Sequence, residues 1–315
     1  MFITSLTFNT EILEKMAINR MIKILNHLKD EFKFHTKKDK VLGGKQTDML
    51  FILSPGRSGS TLLRKLLMQE FSIHIPPESS VIIPKVYNYY LKTYNGQVHE
   101  NFIQSLVDCI GNHEFQYWNI ENKGLIAYLS RLVQNNKLPM DKAVFHIYDY
   151  HRSLYNPSAK KIGDKTPYLV YHHAEILRIF PNAKIIHLQR DPFAVIPSRM
   201  KTFNESLEEA TNRWVWSAKE MRKYTSANTL LVRYEDLVQK NILTKVGIWA
   251  DLEARPTKLD VTQEMLGDTV LSHHKRAQRT LTKNRNESLA HTLSHTQKHY
   301  IVGKACKLMK FYEYL

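Results

Sequence analysis

The chain has 315 residues, 43% of them apolar, which supplies a sizeable core at a length typical of single-domain α/β enzymes. Cys109 and Cys306 lie too far apart for a disulfide framework and show no metal-ligand spacing, so both are expected as buried free thiols; no run approaches the ~20 apolar residues of a bilayer span. A formal charge of +15 calls for an anionic partner, whether nucleic acid, a membrane surface or a highly charged small ligand.

Residues 10–34 set Ile12, Leu13, Met16, Met21, Leu25, Leu28 and Phe32 at helical spacing among lysines and acids. This predicts an amphipathic helix that packs on its own domain. The polar stretch from His35, with Gly43 and Gly44, reads as a linker into a sheet. Residues 1–46 are therefore expected as helix and linker, and 47–315 as the main domain. The start shows no basic-then-apolar signal pattern, so the expected compartment is the cytoplasm.

Met49 to Leu53 is a short apolar run suited to a buried parallel strand. Ser54-Pro55-Gly56-Arg57-Ser58-Gly59 follows as a tight loop, and Ser60 to Gln69 reads as a helix with Leu62, Leu63, Leu66 and Leu67 on one face. Strand, glycine-rich loop and helix in that order make a phosphate loop. Backbone N–H groups, the helix dipole and the hydroxyls of Ser58, Ser60 and Thr61 form an anion cradle. A nucleoside-triphosphate loop of the Walker type needs a lysine where Ser60 stands and a first glycine where Ser54 stands. The pattern thus suits a 5′-phosphate without a β,γ-diphosphate tail, and Arg57 can meet a further negative group.

Phe71 to Ile75 is a second strand candidate, closed by Pro76-Pro77, which holds Glu78 in place. A carboxylate there can take a proton from an attacking hydroxyl, or can cap a helix starting near Ser79 or Ser80. Residues 81–158 read as helices over 81–94, 101–110 and 124–137, with Tyr87, Tyr89, Tyr90 and Tyr94 as packing residues. At Lys161 to Pro167 a strand ends and a helix from Tyr168 to Phe180 begins, which puts Lys165 at the carboxyl end of a strand. Lys184 to Leu188 is another strand, ending in Gln189-Arg190-Asp191-Pro192 and followed by a helix with Ser198 and an internal Pro197. Residues 205–224 form a helix with Trp214 and Trp216 expected in the core. Thr229 onward forms a strand leading into Tyr234-Glu235-Asp236-Leu237, whose acids are expected as helix caps. The stretch 268–286 is basic, and His273-His274 lacks further ligands at metal spacing.

The loop Pro55 to Leu62 resembles the P-R-S-G-[ST]-T-L segment of sulfotransferases that use 3′-phosphoadenosine 5′-phosphosulfate (PAPS), in the carbohydrate and tyrosylprotein branch. Gly163-Asp164-Lys165-Thr166-Pro167, the run from Arg190 to Arg199, and Val232-Arg233-Tyr234-Glu235-Asp236-Leu237 are similar to later motifs of that branch. The likeness extends over roughly residues 47–313 and implies an α/β three-layer sandwich, a parallel sheet with a P-loop-like core flanked by helices. Without a membrane anchor or lumenal disulfides, the chain is identified as a bacterial-type member.

The resemblance further implies PAPS as donor, adenosine 3′,5′-bisphosphate as product, and no metal. Arg57, Ser58, Gly59, Ser60, Thr61 and Leu62 would hold the 5′-phosphosulfate. Glu78, twenty-one positions after Arg57, would be the general base, with His74 as the rival because cytosolic sulfotransferases use histidine, and Arg57 and Lys165 would stabilise transferred charge. Arg190 and Ser198 would bind the 3′-phosphate, Tyr234 would lie on that side, and Lys283 would sit in a lid. The segment 81–158 would form the acceptor pocket for a sugar, lipid, peptide or small-molecule hydroxyl, an amine being the lesser case. Nucleic acid and a stable membrane span are not expected. A P-loop kinase using ATP and Mg²⁺, or a nucleic-acid-binding protein, are the alternative readings.

Overall fold

A computed structural model describes residues 48–238, 240–262, 265 and 285–315; the expected helix over 10–34, His273-His274 and Lys283 lie outside the described residues. Five strands, β1 (Leu50–Leu53), β2 (Ile73–His74), β3 (Lys161–Asp164), β4 (Lys184–Gln189) and β5 (Thr229–Arg233), form one sheet in the order β2-β3-β1-β4-β5. Every neighbouring pair is parallel, with Leu50 opposite both Gly163 and Lys184. The central strand β1 is buried on both faces, and its side chains divide as the two-residue period of a strand requires. Met49, Phe51 and Leu53 join one core with Val86 and Ile147, whereas Leu50 and Ile52 join another with Leu63 and Val246. Helices cover both faces, so the expected three-layer α/β sandwich is present.

The glycine-rich loop leads into α1 (Ser60–Glu70). A helical stretch then covers one face: α2 (Ile82–Thr93), α3 (Phe102–Ile110), α4 (Asn112–Tyr117), α5 (Asn122–Arg131) and α6 (Met140–Tyr155). The last was not foreseen. Its inner face carries Asp141 and His151 among Met140, Ala143, Val144, Ile147 and Tyr148, and those polar groups break the apolar stripe. The helix expected over 124–137 ends at Arg131, and Gln134 and Lys137 pair instead as a tight turn. After β3, the expected single helix opens as a 3₁₀ turn (Pro167–His172) before α7 (His173–Ile179). Then come α8 (Pro192–Phe203), which runs through Pro197, α9 (Leu207–Lys223), a 3₁₀ turn (Tyr234–Val238), α10 (Lys240–Trp249), α11 (Arg285–Ala290) and α12 (His295–Phe311).

Three further expectations are corrected. Cys109 is exposed and Cys306 half-buried, because Ile103, Leu106, Val107 and Ile110 form the inner face of α3 and leave Cys109 toward solvent. Trp214 is buried, but Trp216 lies on the outer face of α9 and stacks on Tyr171 with ring centroids 4.3 Å apart. The strand expected over 71–75 shrinks to Ile73–His74, since the backbone of Phe71 forms an isolated bridge with Ala254 while its ring stays in the core. Among the described residues, no helix is long and apolar enough to cross a membrane.

Candidate active site

The carboxyl ends of β1, β3, β4 and β5 lie side by side, and the strand order reverses around β1, which is where open α/β sheets bind ligands. The loop after β1 is built for close approach. Arg57 and Gly59 both have positive φ, 76° and 88°, and a Cβ on Gly59 would stand 2.3 Å from the Tyr234 ring. Gly59 occupies the N-cap of α1 without a side chain to cap it, so the first N–H groups of that helix remain available to an anion. The buried hydroxyls of Ser54 and Ser58 have no hydrogen-bond partner. Orphaned polar groups at such a place call for a ligand. Leu62 packs into the core beneath the sheet and offers the site its backbone alone.

Arg190, at the end of β4, is 4% exposed and turns toward this loop. Its Nη1 donates to the Arg57 carbonyl at 3.2 Å, and its guanidinium sits 4.0 Å from the centroid of the Tyr234 ring. Ser198 on α8 accepts from Nε of Arg57 at 3.2 Å. Arg57, Gly59, Arg190, Ser198 and Tyr234 therefore meet in one place. Arg199, the next residue, points behind the loop and forks onto Glu205 at 2.8 and 2.5 Å.

Another corner lies where β3 ends. Lys165 is fully buried; its Nζ donates to Thr61 Oγ1 at 3.1 Å and pairs with the Glu78 carboxylate. Burial lowers the lysine pKa, against the pull of Glu78. The adjoining Asp164 is held by Tyr148 Oη at 2.8 Å and Thr166 Oγ1 at 3.2 Å, and burial pushes its pKa up to about 7. Thr166 in turn accepts the Ser79 backbone N–H at 2.9 Å, so a short chain of bonds ties Asp164 to the segment carrying Glu78. Glu78 is not the cap of α2: the Ser79 hydroxyl accepts the Ile82 N–H at 3.1 Å, which leaves the Glu78 carboxylate to Lys165.

His74 is placed differently. It is completely buried, and Nε2 meets Nδ1 of His151 on α6 at 2.8 Å. Burial drives both imidazoles toward the neutral form, His74 well below its usual value and His151 down to about 3.

Two residues that sequence reasoning assigned otherwise, or not at all, stand beside Arg190. Asn286, second residue of α11, accepts from Arg190 Nε at 2.9 Å and Nη2 at 2.7 Å, and donates to Glu235 at 2.6 Å. Glu235 was expected as a helix cap. It accepts instead from the Asp191 N–H and the Tyr314 hydroxyl, both at 3.2 Å. No sequence pattern marks Asn286, because the contact joins residues 96 positions apart.

Comparison with known proteins places these observations. A family model described as "Sulfotransferase family" matches residues 49–255. Among solved structures, the chain is similar to the sulfotransferase domain of the Synechococcus PCC 7002 olefin synthase (23% identity, TM-score 0.47, covering 79% of this chain and 94% of that one). It is also similar to the sulfotransferase domain from the curacin biosynthetic pathway (21%, 0.48, 84% and 99%) and to a Mycobacterium avium sulfotransferase, STF9 (14%, 0.43, 90% and 81%). No curated protein matches the chain.

Proposed function

The chain belongs to the sulfotransferase family, and from that premise we propose that it transfers a sulfuryl group from PAPS to an acceptor hydroxyl. One observation carries the choice of donor: the guanidinium at the end of β4 reaches the carbonyl of Arg57 inside the phosphate loop. Two anion-binding corners share a wall there, and the 5′- and 3′-phosphates of PAPS are separated by a single ribose. The N-terminus of α1 with Ser58, Ser60 and Thr61 suits the 5′-phosphosulfate, and Arg190 with Ser198 suits the 3′-phosphate, which an arginine fork grips by two bonds.

PAPS supplies an activated sulfuryl group, whose S–O bond to the 5′-phosphate breaks as the acceptor oxygen attaches and leaves its electron pair on adenosine 3′,5′-bisphosphate. Glu78 takes the acceptor's proton, being the carboxylate with a side chain 25% exposed beside fully buried Lys165. Lys165 and Arg57 lie beside the loop hydroxyls, where their charge offsets the charge growing on the leaving phosphate. Lys165 also fixes Glu78, so base and electrophilic stabiliser are oriented by one contact. His74 serves packing, because its Nε2 is spent on His151.

Isothermal titration with adenosine 3′,5′-bisphosphate and with ATP and Mg²⁺, followed by transfer of radiolabel from PAPS into acceptor pools, tests this reading. Binding of the bisphosphate in the absence of metal and labelling of a hydroxyl acceptor are expected. Preference for ATP with Mg²⁺, and no transfer from PAPS, would return the kinase reading.

A further inference from the structure

We infer that Asn286 is a positioning residue of the nucleotide site, which orients Arg190 toward the 3′-phosphate and ties that subsite to the carboxyl-terminal helices. The inference rests on the reading of Arg190 given above. A guanidinium can turn about its long side chain, so its value as a phosphate grip depends on what fixes it beforehand. Here the Nε and Nη2 edge is taken by a single oxygen, Asn286 Oδ1, at 2.9 and 2.7 Å. Nη1 is held by the Arg57 carbonyl and one face of the ion by the Tyr234 ring. The amide oxygen thus gives Arg190 a neutral acceptor that sets its direction without cancelling its charge.

The orientation of the amide is itself fixed. Its nitrogen donates to the Glu235 carboxylate at 2.6 Å, and turning the group over would aim an N–H at a guanidinium and an oxygen at a carboxylate. Glu235 also holds the Asp191 N–H, next in chain to Arg190, and the Tyr314 hydroxyl beyond α12. Helix α11, which begins with the residue before Asn286, packs against α8, which carries Ser198. Both proposed 3′-phosphate ligands are therefore braced by one short segment that follows the matched family region. The relay joins Arg190 to Glu235 through the neutral Asn286 amide.

The test is titration of the intact wild type, Asn286→Asp and Asn286→Ala with adenosine 3′,5′-bisphosphate and with adenosine 5′-phosphate, which lacks the 3′ group. The wild type should prefer the bisphosphate by about tenfold or more. Asn286→Ala should lower bisphosphate affinity by about tenfold and monophosphate affinity by less than about twofold, as for loss of a supporting contact. Asn286→Asp keeps the shape, so it remains informative should the alanine variant fail to fold. Its carboxylate would neutralise Arg190 and face Glu235, and about a hundredfold loss of bisphosphate affinity is expected, again with the monophosphate spared. Equal losses for both nucleotides, or full retention of the preference in Asn286→Asp, would overturn the positioning role. A wild type with no preference would instead overturn the 3′-phosphate assignment of Arg190, and the inference with it.

Discussion

The two corners of the cleft hold their cations by opposite means. At the end of β3, fully buried Lys165 is set against a part-exposed carboxylate, charge on charge. At the end of β4, Arg190 is held by a carbonyl, an amide oxygen and an aromatic ring, and the Asn286 amide links it to the Glu235 carboxylate. The first arrangement makes a reactive pair whose members depend on each other, because removing one leaves the other's charge uncompensated. The second aims a cation with neutral groups. On the proposed reading, chemistry and recognition are separated along one strand-end edge.

The largest expected effect follows from breaking the first corner. Lys165→Ala and Glu78→Gln should each lower the single-turnover rate by about a hundredfold or more, as for loss of a charge-stabilising donor or a general base. Affinity for adenosine 3′,5′-bisphosphate should change far less. A variant with full turnover would remove that residue from the mechanism and dissolve the contrast. Arg190→Ala should show the reverse pattern, with bisphosphate affinity down by about tenfold to a hundredfold for loss of a bidentate charged contact. Its rate at saturating PAPS should fall by less than about tenfold. Unchanged affinity in calorimetry would show that the second corner is not a phosphate receptor.

The loop, the strands and their spacing were legible because each rests on local chemistry. Gly59 is required by a positive φ and by the Tyr234 ring pressed on it, and β1 carries a buried apolar run that a parallel sheet demands. Lys165 and Arg190 were singled out by motifs resembling those of the family, which also set them at strand ends. What lay beyond reach was long-range and polar. Asn286 acquires its part only when α11 folds back against α8, and Asp164 becomes notable only because Tyr148, from the unforeseen helix α6, closes over it. Cys109 was misjudged on information already present, since the apolar stripe of α3 leaves it on the wet face.

Asp164 offers a pH-dependent test of how dry the first corner is. Burial raises its pKa from the ordinary 3.8 to about 7, against the lowering pull of Tyr148, Thr166 and Lys165. A raised carboxyl pKa means that the folded state binds the proton more tightly than the unfolded chain. The contribution to stability is therefore fully present below about pH 3.8 and is lost as pH rises toward 7. Asp164→Asn lacks this titration and keeps the shape. Its melting temperature relative to wild type should climb between pH 5 and pH 8, on the order of several degrees for a change of a few kcal/mol. A constant difference across that range would show that water reaches the carboxylate.

The smallest effect is expected at His74, and it decides which group is the base. An imidazole that served there would need a nitrogen open to the acceptor, yet Nε2 is engaged by His151 and Nδ1 is sealed from solvent with the rest of the ring. His74→Gln keeps an amide able to bond His151, so turnover should stay within about threefold of wild type, well short of what loss of a general base costs. The pair should declare itself in stability instead. With both pKa values depressed, the unfolded chain takes up protons that the folded one refuses. Stability is then lost as pH falls from about 6.5 toward the folded value of about 3 for His151, and His74→Gln, with one such histidine fewer, should melt less steeply with acid. A hundredfold drop in turnover with an unchanged acid profile would transfer the proton-abstracting role from Glu78 to His74 and place the acceptor on the β2 side of the cleft.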